Sequence, residues 1–226
     1  MSTSRSPAIS PSPRSRREAL RRPAFWGRVA QFLAGLAGMG LGLAVMLEAG
    51  IGVGPWAVFH EGIARVTPLS FGQALMSAGV VIAGLAWWWT SERPGPGTLV
   101  NMLLVGPFVD LFRTVGVVPT QEGLALGTAQ FLLGAMIVGT ASGLYISARF
   151  GAGPRDMFVL GLSRLLGGSV RRTRTAVEVV VLIVGVVLGG SVGLGTVLFA
   201  LVIGPAMQAS LRLFAPRRRT AAAVGD

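Results

Sequence analysis

Apolar residues run along this chain in long blocks, not in alternation or in narrow stripes. Six blocks approach or exceed the ~20 residues a helix needs to cross a hydrocarbon layer. They cover 28–49, 72–90, 97–116, 123–148, 175–190 and 195–214, and predict six transmembrane helices. The stretch Leu124–Ala148 has no charged residue. Between the first and second blocks lies segment 50–71, and between the fourth and fifth lies 149–174; each opens with Gly-x-Gly-Pro. Glycine permits a sharp turn, and proline in a first helical turn forfeits only an N–H that has no helical partner. Apolar residues then recur at helical spacing, at Trp56, Phe59, Ile63 and Val66 and at Phe158, Leu162 and Leu165. Each segment predicts a short helix at the membrane interface or dipping into it.

The blocks repeat. Gly52-Val53-Gly54-Pro55 returns 99 positions later as Gly151-Ala152-Gly153-Pro154. The same offset pairs Phe32 with Phe131, Gly35 with Gly134, Phe59 with Phe158 and Ser70 with Ser169. One residue is then lost, and an offset of 98 pairs Gly97-Thr98 with Gly195-Thr196 and Gly106-Pro107 with Gly204-Pro205. Three spans per copy is an odd number, so the second copy enters the membrane upside down. The expected fold is an all-α membrane protein of six transmembrane helices in two inverted three-helix repeats, each with a short Gly-x-Gly-Pro interfacial or re-entrant helix. The repeats cover 25–118 and 119–214. Residues 1–24 read as a disordered basic cytoplasmic tail and 215–226 as a second cytoplasmic tail.

Charge sets the orientation. All 20 basic residues are arginines, mean hydropathy is +0.66, and only 13% of residues are charged. With both termini cytoplasmic, Arg65 and Arg113 alone face outside, which the positive-inside rule favours. The pattern implies a multi-pass protein of a bacterial inner (plasma) membrane. A pI near 11.9 invites a nucleic-acid reading, but the arginines follow topology and no nucleic-acid motif accompanies them. The chain has no cysteine and one histidine, so neither a disulfide framework nor a Cys/His metal site is expected. No nucleophile–histidine pair or phosphate loop is visible, so no enzyme, cofactor or metal is expected.

The polar residues inside apolar blocks are the candidates for a substrate cavity. Glu178 lies in the fifth span one turn after Arg174, its expected ion-pair partner. Asn101 and Asp110 share a side of the third span, with Arg113 as a local partner for Asp110. Arg155 and Asp156 open the second short helix, where Asp156 is expected to act as a cap. Pro107 and Pro205, each after a glycine and midway along spans three and six, are expected to break or kink those helices around a central site. Gly52, Gly54, Pro55, Gly151, Gly153 and Pro154 form the hinge motifs. Glu48 is expected to contact Arg65, and His60-Glu61 to lie on a solvated interfacial face. Trp87-Trp88-Trp89 reads as an interfacial aromatic belt, and Gly35, Gly38 and Gly42, with Gly134 and Gly139, as close helix packing. The constellation points to a transporter or permease-like protein for a small solute in the lipid bilayer. The alternative is a non-transporting accessory or regulatory protein that acts with a cytoplasmic enzyme or anionic lipid through the arginine-rich face.

Several of these stretches resemble a known group. Gly52-Val-Gly-Pro-Trp56, Glu92-Arg-Pro-Gly-x-Gly-Thr98, Asn101, Gly106 and Asp110 in the first half are similar to the YczE/YyaS/YitT group of bacterial membrane proteins, the YczE-like branch above all. So are Tyr145, Gly151-Ala-Gly-Pro-Arg-Asp156, Arg174, Glu178 and Gly193-x-Gly-Thr196 in the second. The resemblance spans about residues 30–214 and adds Tyr145 to the cavity candidates. It implies a polytopic bacterial inner-membrane protein and carries no settled biochemical activity. Where the group's pattern suggests Gly-Pro-Trp-Asp, this chain has Ala57, so Asp156 alone supplies that carboxylate.

Overall fold

The computed structural model describes residues 23–90, 93–151 and 153–214; both expected tails otherwise lie outside the described residues, as do Glu92 and Ala152. The described chain is helical throughout, with no strand. Its helices are α1 (Pro23–Leu47), α2 (Pro55–Val66), α3 (Phe71–Thr90), α4 (Pro96–Thr114), α5 (Leu124–Ser147), α6 (Pro154–Leu165), α7 (Val170–Val187) and α8 (Leu194–Phe214). The two short helices therefore form where the Gly-x-Gly-Pro motifs predict, with proline in the first turn of each.

Four helices are long and apolar enough to cross a membrane: α1, α3, α5 and α8. The other two expected spans fall in α4 and α7, of 19 and 18 residues. Polar side chains set them apart: Asn101, Asp110 and Arg113 in α4, and Arg171, Arg172, Arg174 and Glu178 in α7. Helix α7 starts five residues before its apolar block. There Thr173 and Val177 turn inward while Arg171 and Arg172 stay exposed, so amphipathic packing extends the helix beyond the hydropathic signal.

Glycine governs the crossings. On α1, a Cβ at Gly35 would lie 2.7 Å from the Tyr145 nitrogen, and one at Gly42 2.7 Å from Val138 on α5. Gly134 makes the reciprocal approach to Met46, 2.6 Å away. The expected small-residue packing is thus the α1–α5 crossing, except that Gly139 faces Ala206 on α8 instead. Leu36, Met46 and Phe131 are fully buried beside it.

The short helices pack on the opposite copy. Helix α2 lies on α7, where Gly185 abuts the Phe59 backbone, and α6 lies on α3, where Gly161 abuts Thr90. The loops before them are gripped in the same crosswise manner. The Gly195 N–H donates to the Ile51 carbonyl at 2.8 Å, and the Gly97 N–H donates to the Phe150 carbonyl at 3.0 Å. Thr196 Oγ1 adds a bond to the Val53 carbonyl at 2.7 Å. The repeated Gly-x-Gly-Thr motif is therefore the dock for the opposite Gly-x-Gly-Pro loop. Gly52 adopts φ +88° against Gly193, a conformation a side chain would strain.

The expected breaks in the two proline-containing spans do not form. Helices α4 and α8 run unbroken through Pro107 and Pro205, and both prolines are exposed. Each proline removes one intrahelical N–H, and the helix continues past it with the ring exposed. The chain's real interruptions are the Gly-x-Gly-Pro loops.

Candidate functional site

The N-termini of α2 and α6 meet at a cavity of about 190 Å³. Neither N-cap glycine, Gly54 or Gly153, supplies a side chain, and no side-chain cap serves either first turn. Proline at N1 removes one donor from each, but Trp56, Ala57, Arg155 and Asp156 still carry first-turn N–H groups at the cavity. Uncapped helix N-termini present a partial positive charge to whatever occupies the space.

The lining obeys the repeat. Through residue 79, positions 99 apart appear in eight pairs. Two are alike, Met39 with Val138 and Gly54 with Gly153. In the other six, Leu43 and Ser142, Met46 and Tyr145, Trp56 and Arg155, Ala57 and Asp156, Leu75 and Arg174, and Gly79 and Glu178, the first-copy residue is apolar or indole and the second-copy residue is polar or charged. The offset of 98 gives Asn101 with Phe199, the reverse, and Val105 with Ile203, both apolar. Every Arg, Asp and Glu of the lining therefore comes from the second copy, which forms a charged wall.

On the charged wall, Arg174 is ion-paired with Asp156 across α6 and α7. This replaces the expected Arg174–Glu178 pair, and it also makes Asp156 an ion-pair partner instead of a helix cap. The packing of α6 against α7 brings together two residues 18 apart in sequence. The Tyr145 hydroxyl lies beside the same Asp156 carboxylate. Arg155 stacks over the Trp56 ring, 5.8 Å from its centroid. Glu178 has no ion-pair partner among the described residues, and neither Arg155 nor Glu178 is fully buried. Asn101 is buried, with its amide oxygen 3.7 Å from where a Gly153 Cβ would sit. The corresponding space at Gly54 is closed by the Phe199 ring, 2.7 Å away. Trp56 is only 7% exposed, and its Nε1–H is buried with no acceptor.

The structure thus gathers Asn101, Tyr145, Arg155, Asp156, Arg174, Glu178, Gly54, Gly153 and Pro154 around one space. Pro107, Pro205, Gly52, Pro55, Gly151 and Asp110 lie outside the lining. Asp110 instead accepts bonds from Ser70 Oγ at 2.5 Å and the Gly72 N–H at 2.9 Å, tying α4 to the start of α3. Its expected partner Arg113 pairs with Glu48 at 2.7 Å, so the expected Glu48–Arg65 contact does not form. Burial opposes ionisation of Glu48, but Thr120 and Arg113 outweigh it and hold the carboxyl below the usual carboxylate value. The expected solvated His60-Glu61 face is also corrected. His60 is buried among Trp56, Phe59 and Phe71. Glu61 accepts from the Ser191 N–H, Ser191 Oγ and Arg65, clamping α2 to the loop before α8. Trp56, Ser142 and Gly204 line the cavity without being among the cavity candidates of the sequence; the repeat offset pairs Trp56 with Arg155 and Gly204 with Gly106, while no sequence signal marks Ser142.

Comparison with known proteins adds a family. Residues 26–212 match the model of a family of unknown function, DUF6198. A protein of Bacillus subtilis described as "Uncharacterized membrane protein YczE" is 32% identical over 84% of this chain and 91% of its own length. An "Uncharacterized protein" of Haemophilus influenzae is 35% identical over 81% of this chain and 82% of its own. "Uncharacterized protein YyaS" of Bacillus subtilis is 23% identical over 71% and 80%. No solved structure matches the chain.

Proposed function

The chain belongs to the DUF6198 family, whose description assigns no activity, so we propose from its architecture that it is a membrane transporter for a small solute. The supporting observation is a cavity lined by equivalent positions of two copies, with its charged side chains all from the second. Two inverted three-span repeats build it: α1, α3 and α4 with α2, and α5, α7 and α8 with α6. In such folds the substrate sits at the repeat interface, near interrupted helices whose N-termini face it, and rocking of one repeat against the other alternates access. The exchange of partners supports the two-fold relation, since α2 lies on α7 as α6 lies on α3. Charged side chains within the bundle are costly and mark solute pathways. The protein sits in a bacterial inner membrane with both termini in the cytoplasm, the orientation the arginines favour.

Purified protein in proteoliposomes tests the reading by flux of a panel of small labelled solutes. Glu178→Gln is expected to abolish the flux found with wild type while the protein remains monodisperse. Wild-type flux in that variant removes Glu178 from the pathway. Leu69→Cys and Gly168→Cys, in a chain without native cysteine, test the inversion. An impermeant thiol reagent on intact cells should label position 69 only.

The accessory-protein reading draws on the exposed Arg171 and Arg172 at the start of α7. It leaves the charged cavity without a role. A stoichiometric soluble partner, lost on deleting residues 1–24, would favour it over transport.

A further inference from the structure

Resting on the transport reading, we infer that the cavity takes a small zwitterion with an apolar tail, an amino-acid-like ligand whose carboxylate meets Arg155 and the uncapped first turn of α6 and whose ammonium meets Glu178. The argument is a charge balance. The lining carries two cations and two anions. Arg174 and Asp156 satisfy each other, which leaves one cation and one anion, Arg155 and Glu178, with no opposite charge of their own among the described residues. Neither is fully buried, so each presents to the cavity a charge that a ligand group of opposite sign would compensate. A lone anion would compensate Arg155 yet repel Glu178, and a lone cation would do the converse. A zwitterion compensates both and leaves no net charge.

Two further observations agree. The Arg155 guanidinium and the free first-turn N–H groups of α6 belong to the lining as donors. Those donors suit a carboxylate. Flexible apolar side chains, among them Met39, Leu43 and Met46, form another part of the lining, which suits a branched or linear hydrocarbon tail. Size sets the scale, since a cavity of about 150 Å³ holds benzene. The space of about 190 Å³ then matches a ligand of amino-acid size.

The test uses the purified full chain in nanodiscs and three ligands with one carbon skeleton. L-leucine is the zwitterion, 4-methylpentanoate lacks the ammonium, and 3-methylbutylamine lacks the carboxylate. Titration calorimetry is expected to show leucine binding at least tenfold more tightly than either mono-ion. Glu178→Gln should erase the advantage over 4-methylpentanoate, and Arg155→Gln the advantage over the amine, with the third ligand in each case as the internal control. Equal or tighter binding of a mono-ion by wild type, or no binding of any of the three, overturns the assignment, whatever the variants do. Counterflow of the same compounds in proteoliposomes separates this inference from the transport reading. Leucine bound but not moved sustains the ligand class and refutes transport. A mono-ion moved in preference to leucine sustains transport and refutes the ligand class.

Discussion

Gly106 and Gly204 occupy equivalent places in the two copies, each just before a proline in an unbroken helix, yet their surroundings predict opposite responses to alanine. A Cβ at Gly106 would collide with the Gly72 carbonyl oxygen on α3, and the next neighbour, the Met76 side chain, lies 3.0 Å away. The first obstacle is backbone, so α3 and α4 must move apart; overpacking of this kind costs about 1–3 kcal/mol. A Cβ at Gly204 meets nothing within 4 Å. There the substitution collects the intrinsic preference of helices for alanine over glycine, at most about 1 kcal/mol. The two variants should therefore differ by roughly 1–4 kcal/mol, the sum of these ranges. Reversible unfolding in mixed micelles by titration with dodecyl sulfate, followed by circular dichroism, measures the difference. Gly204 also lines the cavity, so Gly204→Ala should weaken ligand binding while it stabilises the protein. Equal stability of the two variants would refute the claim that the α3–α4 contact, and not a shared helix break, is what requires glycine at 106.

Other consequences follow from the ion pairs and the backbone. The lowered Glu48 carboxyl contributes stability that is present above its ordinary value of 4.5 and is lost as pH falls through its folded value. Glu48→Gln should thus destabilise at pH 7, by at most about 1 kcal/mol because Arg113 is well exposed, and match wild type in strong acid; unfolding titrations at both pH values check it. Arg174→Gln, which strands Asp156, should cost more than the Asp156→Asn/Arg174→Gln double variant, with a coupling of about 1 kcal/mol in a double-mutant cycle. Arg149 adopts φ 59° where its counterpart Gly50 has φ 68°. Arg149→Gly should therefore raise stability by about 1 kcal/mol, read from the same unfolding curves.

Much of this architecture is legible in the chain. Hydropathy locates the long helices within a few residues, and Gly-x-Gly-Pro locates both short ones. Local spacing misleads where tertiary contact decides. The i,i+4 arrangement of Arg174 and Glu178 suggests a pair, but Asp156, 18 residues away, is nearer in space. Asn101 and Asp110 fall on one helical side, yet one reaches the cavity and the other turns to Ser70 and Gly72, because α3 starts beside Asp110. Hydropathy also undercounts α7, whose first turns carry arginines on an outer face. The cavity's charged wall was encoded from the start, since it needs only the repeat offset. It becomes visible once the lining positions are known, because no local pattern says which members of a repeat face inward.

The crosswise grip of the loops also orders the protein's birth. Phe150 follows Gly97 by 53 residues, so the second-copy loop finds its dock soon after synthesis. Ile51 must wait for Gly195, 144 residues later. At 5–20 residues per second that is roughly 7–30 s during which the loop before α2 has no dock. The uncapped end of α2 spends that interval without the helix that will bury it, and the last span to emerge closes the fold around the first. Chains stopped before α8 should hold a complete α3–α6 contact and an undocked loop before α2, the form that membrane quality control would encounter first.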